Sequence, residues 1–201
     1  MSQFKSNFII WHDDTNMASP EEDAKYSLSE EQERRLTERL EAIFREFCLG
    51  EAIPEAPTDS FNVAKYILEQ QGAMSTWQLQ KLCYYAQAWH YTWTNKRLIK
   101  QNFQAWKDGP VCRELYNLHR GKVKVTADDI PGSSDSLTTD QKDSIDVMLE
   151  HYGNLSGDEL RTLTHSEEPW IRARGNLSAN AHSEKIISLE SMGEYYHNHL
   201  I

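Results

Sequence analysis

The chain has 201 residues, 39% of them hydrophobic and 26% charged, which is room for one globular domain with an appendage and enough apolar material for a sizeable core. Its formal charge of -10 speaks against a nucleic-acid partner, because neutralising phosphates requires a basic face. No apolar run approaches the ~20 residues of a membrane span, and the first residues lack the charged start and long apolar stretch of a secretory signal, so a cytoplasmic protein with no membrane partner is expected.

The charge is unevenly distributed. Residues 1–57 carry 13 acidic and 6 basic side chains, a balance of -7, whereas residues 58–201 carry 18 and 15, a balance of -3. The three cysteines, Cys48, Cys83 and Cys112, are odd in number and far apart in apolar helical contexts, with no Cys-x-x-Cys pair. Neither a disulfide framework nor a zinc knuckle can be read from them, and a reducing compartment fits best.

In chain order, Phe8-Ile9-Ile10-Trp11 is a short apolar run, readable as a strand or as a docking segment. Ser29-x-x-Gln32 is a capping box opening an amphipathic helix over 29–48, with Leu36, Leu40, Ile43, Phe44 and Phe47 on one face and Glu33, Arg34, Glu38, Glu41 and Arg45 on the other. Gly50 closes it, and the stretch from Glu51 to Asp59, with Pro54 and Pro57, reads as a linker. The domains expected are an acidic N-terminal extension, 1–57, and a compact helical domain, 58–201.

In that second part, Val63, Ile67 and Leu68 mark a helix from near Ser60 to Gly72. A capping box at Ser75-x-x-Gln78 opens the most apolar helix, from Thr76 to about Trp93, whose wide stripe marks it as the centre of the core. A short extended piece is expected within Leu98 to Trp106, and Asp108-Gly109-Pro110 is read as the start of the next helix, with proline in the first turn. Val123 and Val125 suggest a second short strand. Helices follow at about 139–152, at 157–165 behind a Ser156-x-x-Glu159 box, from Pro169, and at about 188–199.

The stretch Gln78-Leu79-Gln80-Lys81-Leu82-Cys83-Tyr84-Tyr85-Ala86-Gln87-Ala88-Trp89-His90 resembles the signature helix of Panacea domains, the SocA-like, phage-associated antitoxin family. Ala105-Trp106-Lys107-Asp108-Gly109-Pro110-Val111 is similar to that family's Gly-Pro-Val turn, and Leu163-Thr164-His165-Ser166-Glu167-Glu168-Pro169-Trp170 to its Leu-Thr-His-x-Glu-x-Pro-Trp segment. Ile187 to Tyr196 resembles its terminal helix with paired tyrosines. Departures are Cys83 for an aliphatic residue, Ala88 for glycine, and Cys112-Arg113 after the turn. The resemblance covers roughly 60–200 and implies an all-α domain, no cofactor and no active site. It implies an antitoxin from a bacterial or phage (prophage) system that neutralises a cognate protein toxin, encoded by a neighbouring gene, through protein contact.

The motif residues have structural readings beside functional ones. Trp106, Gly109, Pro110 and Val111 are explained by a turn capped by a large indole, the alternative being partner contact. His165, Pro169 and Trp170 fit a helix end followed by a new helix, but His-x-Glu also opens a zinc-deaminase signature, whose Pro-Cys-x-x-Cys half is missing after Cys112. On the helix 76–93, Gln80, Lys81, Tyr84, Tyr85, Gln87 and Trp89 serve either the core and neighbouring backbone or a recognition groove lined by Gln80, Tyr84, Gln87 and Tyr91. Toxin-binding candidates are therefore Phe8, Ile9, Ile10, Trp11, Gln80, Tyr84 and Tyr91.

Two other functions stay open: a proteolytic adaptor that hands the toxin to a cellular protease, and a small prophage-encoded hydrolase using His165 and Glu167. No histidine pair has metal-ligand spacing, so the purified protein is expected to contain no stoichiometric zinc. Elemental analysis returning close to one tightly held metal per chain would overturn this.

Overall fold

The structure, a computed structural model, describes residues 56–199 together with Arg34 and Thr37. It divides into two units, Met1–Leu40 and Glu41–Ile201. In the first, Arg34 and Thr37 are helical and exposed. The apolar run Phe8-Ile9-Ile10-Trp11 and the rest of the helix expected over 29–48 lie outside the described residues.

The second unit is mostly helical, with two short antiparallel strand pairs. Helix α1 spans Ser60–Gln71; Asp59 caps it by accepting from the Phe61 amide, and Gly72, at φ 79, ends it. Strand β1, Met74–Ser75, leads directly into α2, Thr76–Thr94, where Ser75 accepts from the Gln78 amide. The Ser75 box is only half closed. The Gln78 side chain reaches instead to the carbonyls of Gly153 and Leu155, tying the start of α2 to a distant loop. Asn95, in the left-handed conformation at φ 55, terminates α2.

Strands β2, Phe103–Trp106, and β3, Gly109–Cys112, form a hairpin with Phe103 opposite Cys112 and Trp106 opposite Gly109. Helix α3, Arg113–His119, follows, and β4, Lys124–Val125, pairs with β1. Helices α4, Thr139–Tyr152, and α5, Gly157–Ser166, both start on complete capping boxes, at Thr138/Gln141 and Ser156/Glu159. Helix α6, Glu168–Arg174, carries Pro169 in its first turn, and α7, Leu189–His197, starts at the Ser188 cap.

The helix expected to begin at Pro110 is corrected by the hairpin: residues 109–112 are strand, and the helix begins at Arg113. Lys107 and Asp108 make the turn, and Gly109 takes φ +102, which a residue with a side chain rarely adopts. Pro110 is tolerated because it faces Ala105, whose amide points away from β3 to the Lys185 carbonyl. The proline's missing donor therefore leaves no gap in the ladder.

Helix α2 sits at the centre. Every residue from Leu79 to His90 is buried, more than three turns enclosed on all sides by α1, α4, α5, α7 and β3. Leu82 and Trp89 are both fully buried in this helix. Trp89→Ala and Leu82→Ala are each expected to lower stability by about 2–5 kcal/mol, the range for large cavities in a packed core. Denaturant titrations whose midpoints stay put for both variants would contradict the enclosed placement of α2.

Candidate functional site

A helix buried all round that carries Gln80, Lys81, Gln87 and His90 must find partners for each, since an unpaired buried polar group is costly. Gln80, 3% exposed, acts as a surrogate strand: its Oε1 accepts from the Cys112 amide at 2.8 Å, and its Nε2 donates to the Cys112 carbonyl at 3.3 Å. The same amide nitrogen meets the His119 ring at 2.9 Å. One helical residue on, Lys81 donates from Nζ to the Pro110 carbonyl at 3.2 Å. These two side chains cover the outer edge of β3, which would otherwise present unpaired main chain to the core. Gly109 makes the approach possible, because a Cβ there would lie 2.5 Å from Lys81 Cε.

One turn further along, α2 meets a buried carboxylate. Tyr85 donates to Glu167 Oε1 at 3.0 Å and Tyr196 donates to Oε2 at 2.6 Å, so one side chain between α5 and α6 joins α2 to α7. Tyr85 also stacks on Tyr152 at 4.1 Å, and Trp89 donates from its indole to the Tyr152 hydroxyl at 3.3 Å. Tyr84 meets Tyr85 and Phe103 edge to face. Burial raises the Glu167 carboxyl above its ordinary value, and the two tyrosine hydroxyls oppose that rise.

The third part of the signature clamps the hairpin from outside. Trp170 donates from its indole to the Trp106 carbonyl at 3.0 Å, His165 stacks on Trp170 at 4.1 Å, and Pro169 opens α6. Arg174, buried and set over the Trp170 ring, donates to the carbonyls of Ala105, Ser178, Ala179 and Ala181. A guanidinium with a fixed fork of donors suits such a cluster of carbonyls. Trp106 itself packs on Tyr116 and donates to Gln104.

Most of the signature residues singled out in the sequence thus converge on one task, holding the β2–β3 hairpin and α7 against α2. The recognition groove expected along α2 is not a surface feature: Gln80, Tyr84 and Gln87 are interior, and Tyr91 alone of the four is partly exposed. The reason is that α2 lacks a solvated face over these turns. His165 and Glu167, paired in the hydrolase reading, engage different partners, the Trp170 ring and the two tyrosines. Sequence reasoning missed Arg174 as a clamp and Gln80 as an edge cover, because their partners are main-chain carbonyls and amides, which no motif displays. Among the described residues, no group of three or more His, Cys, Asp and Glu side chains is placed to hold a metal ion, and no helix is long and apolar enough to cross a membrane.

The molecule is thus a mostly helical domain built round one enclosed helix that carries its own polar pins. Residues 79–171, from the first turns of α2 into α6, are similar to the family whose model is described as Antitoxin SocA-like, Panacea domain. No curated protein and no solved structure matches the chain.

Lys81 provides a measurable consequence. Burial lowers its ammonium from 10.5 to about 7, with nearby Asp108 opposing the drop and Arg161 adding to it. Between these two values the unfolded chain binds a proton that the folded chain does not, so stability should rise with pH in that window. Relative to Lys81→Met, which cannot titrate, the unaltered chain should gain on the order of 2 kcal/mol between pH 7 and 9. Parallel unfolding curves for the two proteins over that range would refute the buried ammonium.

Proposed function

We propose that this protein is the antitoxin of a bacterial or phage toxin–antitoxin pair and neutralises its cognate toxin by stoichiometric protein contact. The observation that carries the reading is the match of residues 79–171 to the SocA-like antitoxin domain, together with the inward direction of its signature. Side chains that define the domain are occupied in holding the scaffold, which leaves the outer surface to meet a particular partner. Such an interface needs one complementary face of about 1,600 Å² and no chemistry.

The reading assigns the acidic segment 1–57 to the toxin as well, as an arm whose Phe8, Ile9, Ile10 and Trp11 act as anchors. Interface energy concentrates in a few residues, and aromatic side chains are enriched among them. The arm's -7 charge would complement a toxin with a basic substrate site.

Co-expression with the neighbouring reading frame tests this. Full rescue of growth is expected once the two proteins are equimolar, with a one-to-one complex on purification. Residues 58–201 expressed alone should remain folded and rescue less well. Rescue well below equimolar amounts that depends on a host protease would replace stoichiometric binding by adaptor delivery, and equal rescue by 58–201 would remove the arm. A neighbouring product that is harmless alone and does not bind would end the antitoxin reading.

A further inference from the structure

The β2–β3 hairpin has two outer edges, and the fold treats them differently. On the β3 side, Gln80 and Lys81 cover the main chain. On the β2 side lies the segment 185–187, held by two bonds: the Ala105 amide donates to the Lys185 carbonyl and the Ile187 amide donates to the Phe103 carbonyl, both at 2.8 Å. Ile186 forms the antiparallel bridge to Gln104 between those bonds. By the alternation of an antiparallel ladder, its own N–H and C=O point outward, away from β2. Neither has a hydrogen-bond partner among the described residues, and Ile186 is 53% exposed.

A cleft of about 200 Å³ adjoins this edge, bounded by Ile186, Gln87, Arg97, Asn102 and Glu190 among others. Gln87 is 1% exposed, and its Oε1 accepts from the Ile99 amide at 2.7 Å, which fixes the orientation of the carboxamide. Among the described residues, the Gln87 Nε2 has no acceptor. Arg97, anchored on the carbonyls of Ile99 and Gln101 and on the Asn102 side chain, adds a positive charge to the wall. The cleft is smaller than the ~300–1,000 Å³ typical of small-molecule sites, yet it has room for one side chain.

We propose that the toxin adds an extended segment to this edge. Its main chain pairs with Ile186, and one of its side chains, ending in a carboxylate or carboxamide, enters the cleft toward Gln87 and Arg97. Strand addition supplies the main-chain bonds, and an oxygen acceptor complements both an unpaired amide donor and a guanidinium. This assignment rests on the antitoxin reading, since it takes the toxin as the occupant.

The test uses the full chain and the purified product of the neighbouring reading frame. In the free chain the Ile186 amide should exchange with solvent at an unprotected rate, and in the complex it should become protected. Ile186→Pro removes that outward N–H while sparing the bonds of Lys185 and Ile187, and should weaken binding about tenfold without lowering the melting temperature. Gln87→Glu keeps the oxygen for Ile99 but removes the free donor, and should weaken binding to a similar degree. If the proline variant melts early, exchange on the unaltered chain decides. A complex that forms with Ile186 exchange unchanged overturns the docking edge while the antitoxin reading stands. Wild-type affinity in a folded Gln87→Glu protein overturns the cleft as the side-chain site, and the absence of any complex overturns both readings.

Discussion

An α-helix closed off from water on every side is costly unless most of the polar groups it carries are paired within the fold, and α2 is so enclosed from Leu79 to His90. The rest of the domain can be understood as the set of partners that this constraint demands. Gln80 and Lys81 require unpaired main chain at a fixed distance, and β3 provides it. Tyr85 requires an acceptor, and Glu167 at the junction of α5 and α6 provides it while also binding Tyr196. His90 is met by the Ser144 hydroxyl of α4 at 3.0 Å. An apolar α2 could pack equally well in several rotations, whereas one bearing these groups can seat in one.

That arrangement joins two kinds of contact with different energetic character. Apolar burial along Leu79, Leu82, Ala86 and Trp89 supplies the non-directional drive to enclose the helix. The polar pins contribute little net stability one by one, but leaving any of them unpaired would be costly. They therefore select the register of the hairpin and the seat of α7 more than they hold the domain together. The Arg174 clamp extends the same principle outward, using one buried guanidinium to gather carbonyls from β2 and from the loop after α6.

Much of this was legible in the sequence where the signal was local. Ser75 and Ser156 cap helices where their spacing predicts, and Gly72 ends α1 with a positive φ. The breadth of the apolar stripe on α2 correctly marked the centre of the core. What could not be read were pairings across the chain. Gly109-Pro110 is compatible with a helix start or a hairpin, and the choice is made by Lys81 and Gln80, some thirty residues earlier, which need β3 as an acceptor and donor edge. The same side chains read as groove residues in sequence because long polar and aromatic groups on a helix serve surfaces and enclosed networks alike.

The Glu167 carboxylate makes timing part of this design. Its two tyrosine donors are made far apart in synthesis, Tyr85 early on α2 and Tyr196 on the last of the helices described. Until α7 has left the ribosome, α2 lacks one of its walls and the carboxylate lacks half its donors. A nascent chain of this kind stays a target for proteases and chaperones through most of its translation, and protection arrives as one late event. The cell would therefore hold finished protein or degraded fragments, with little in between, and its supply would follow completed translation closely.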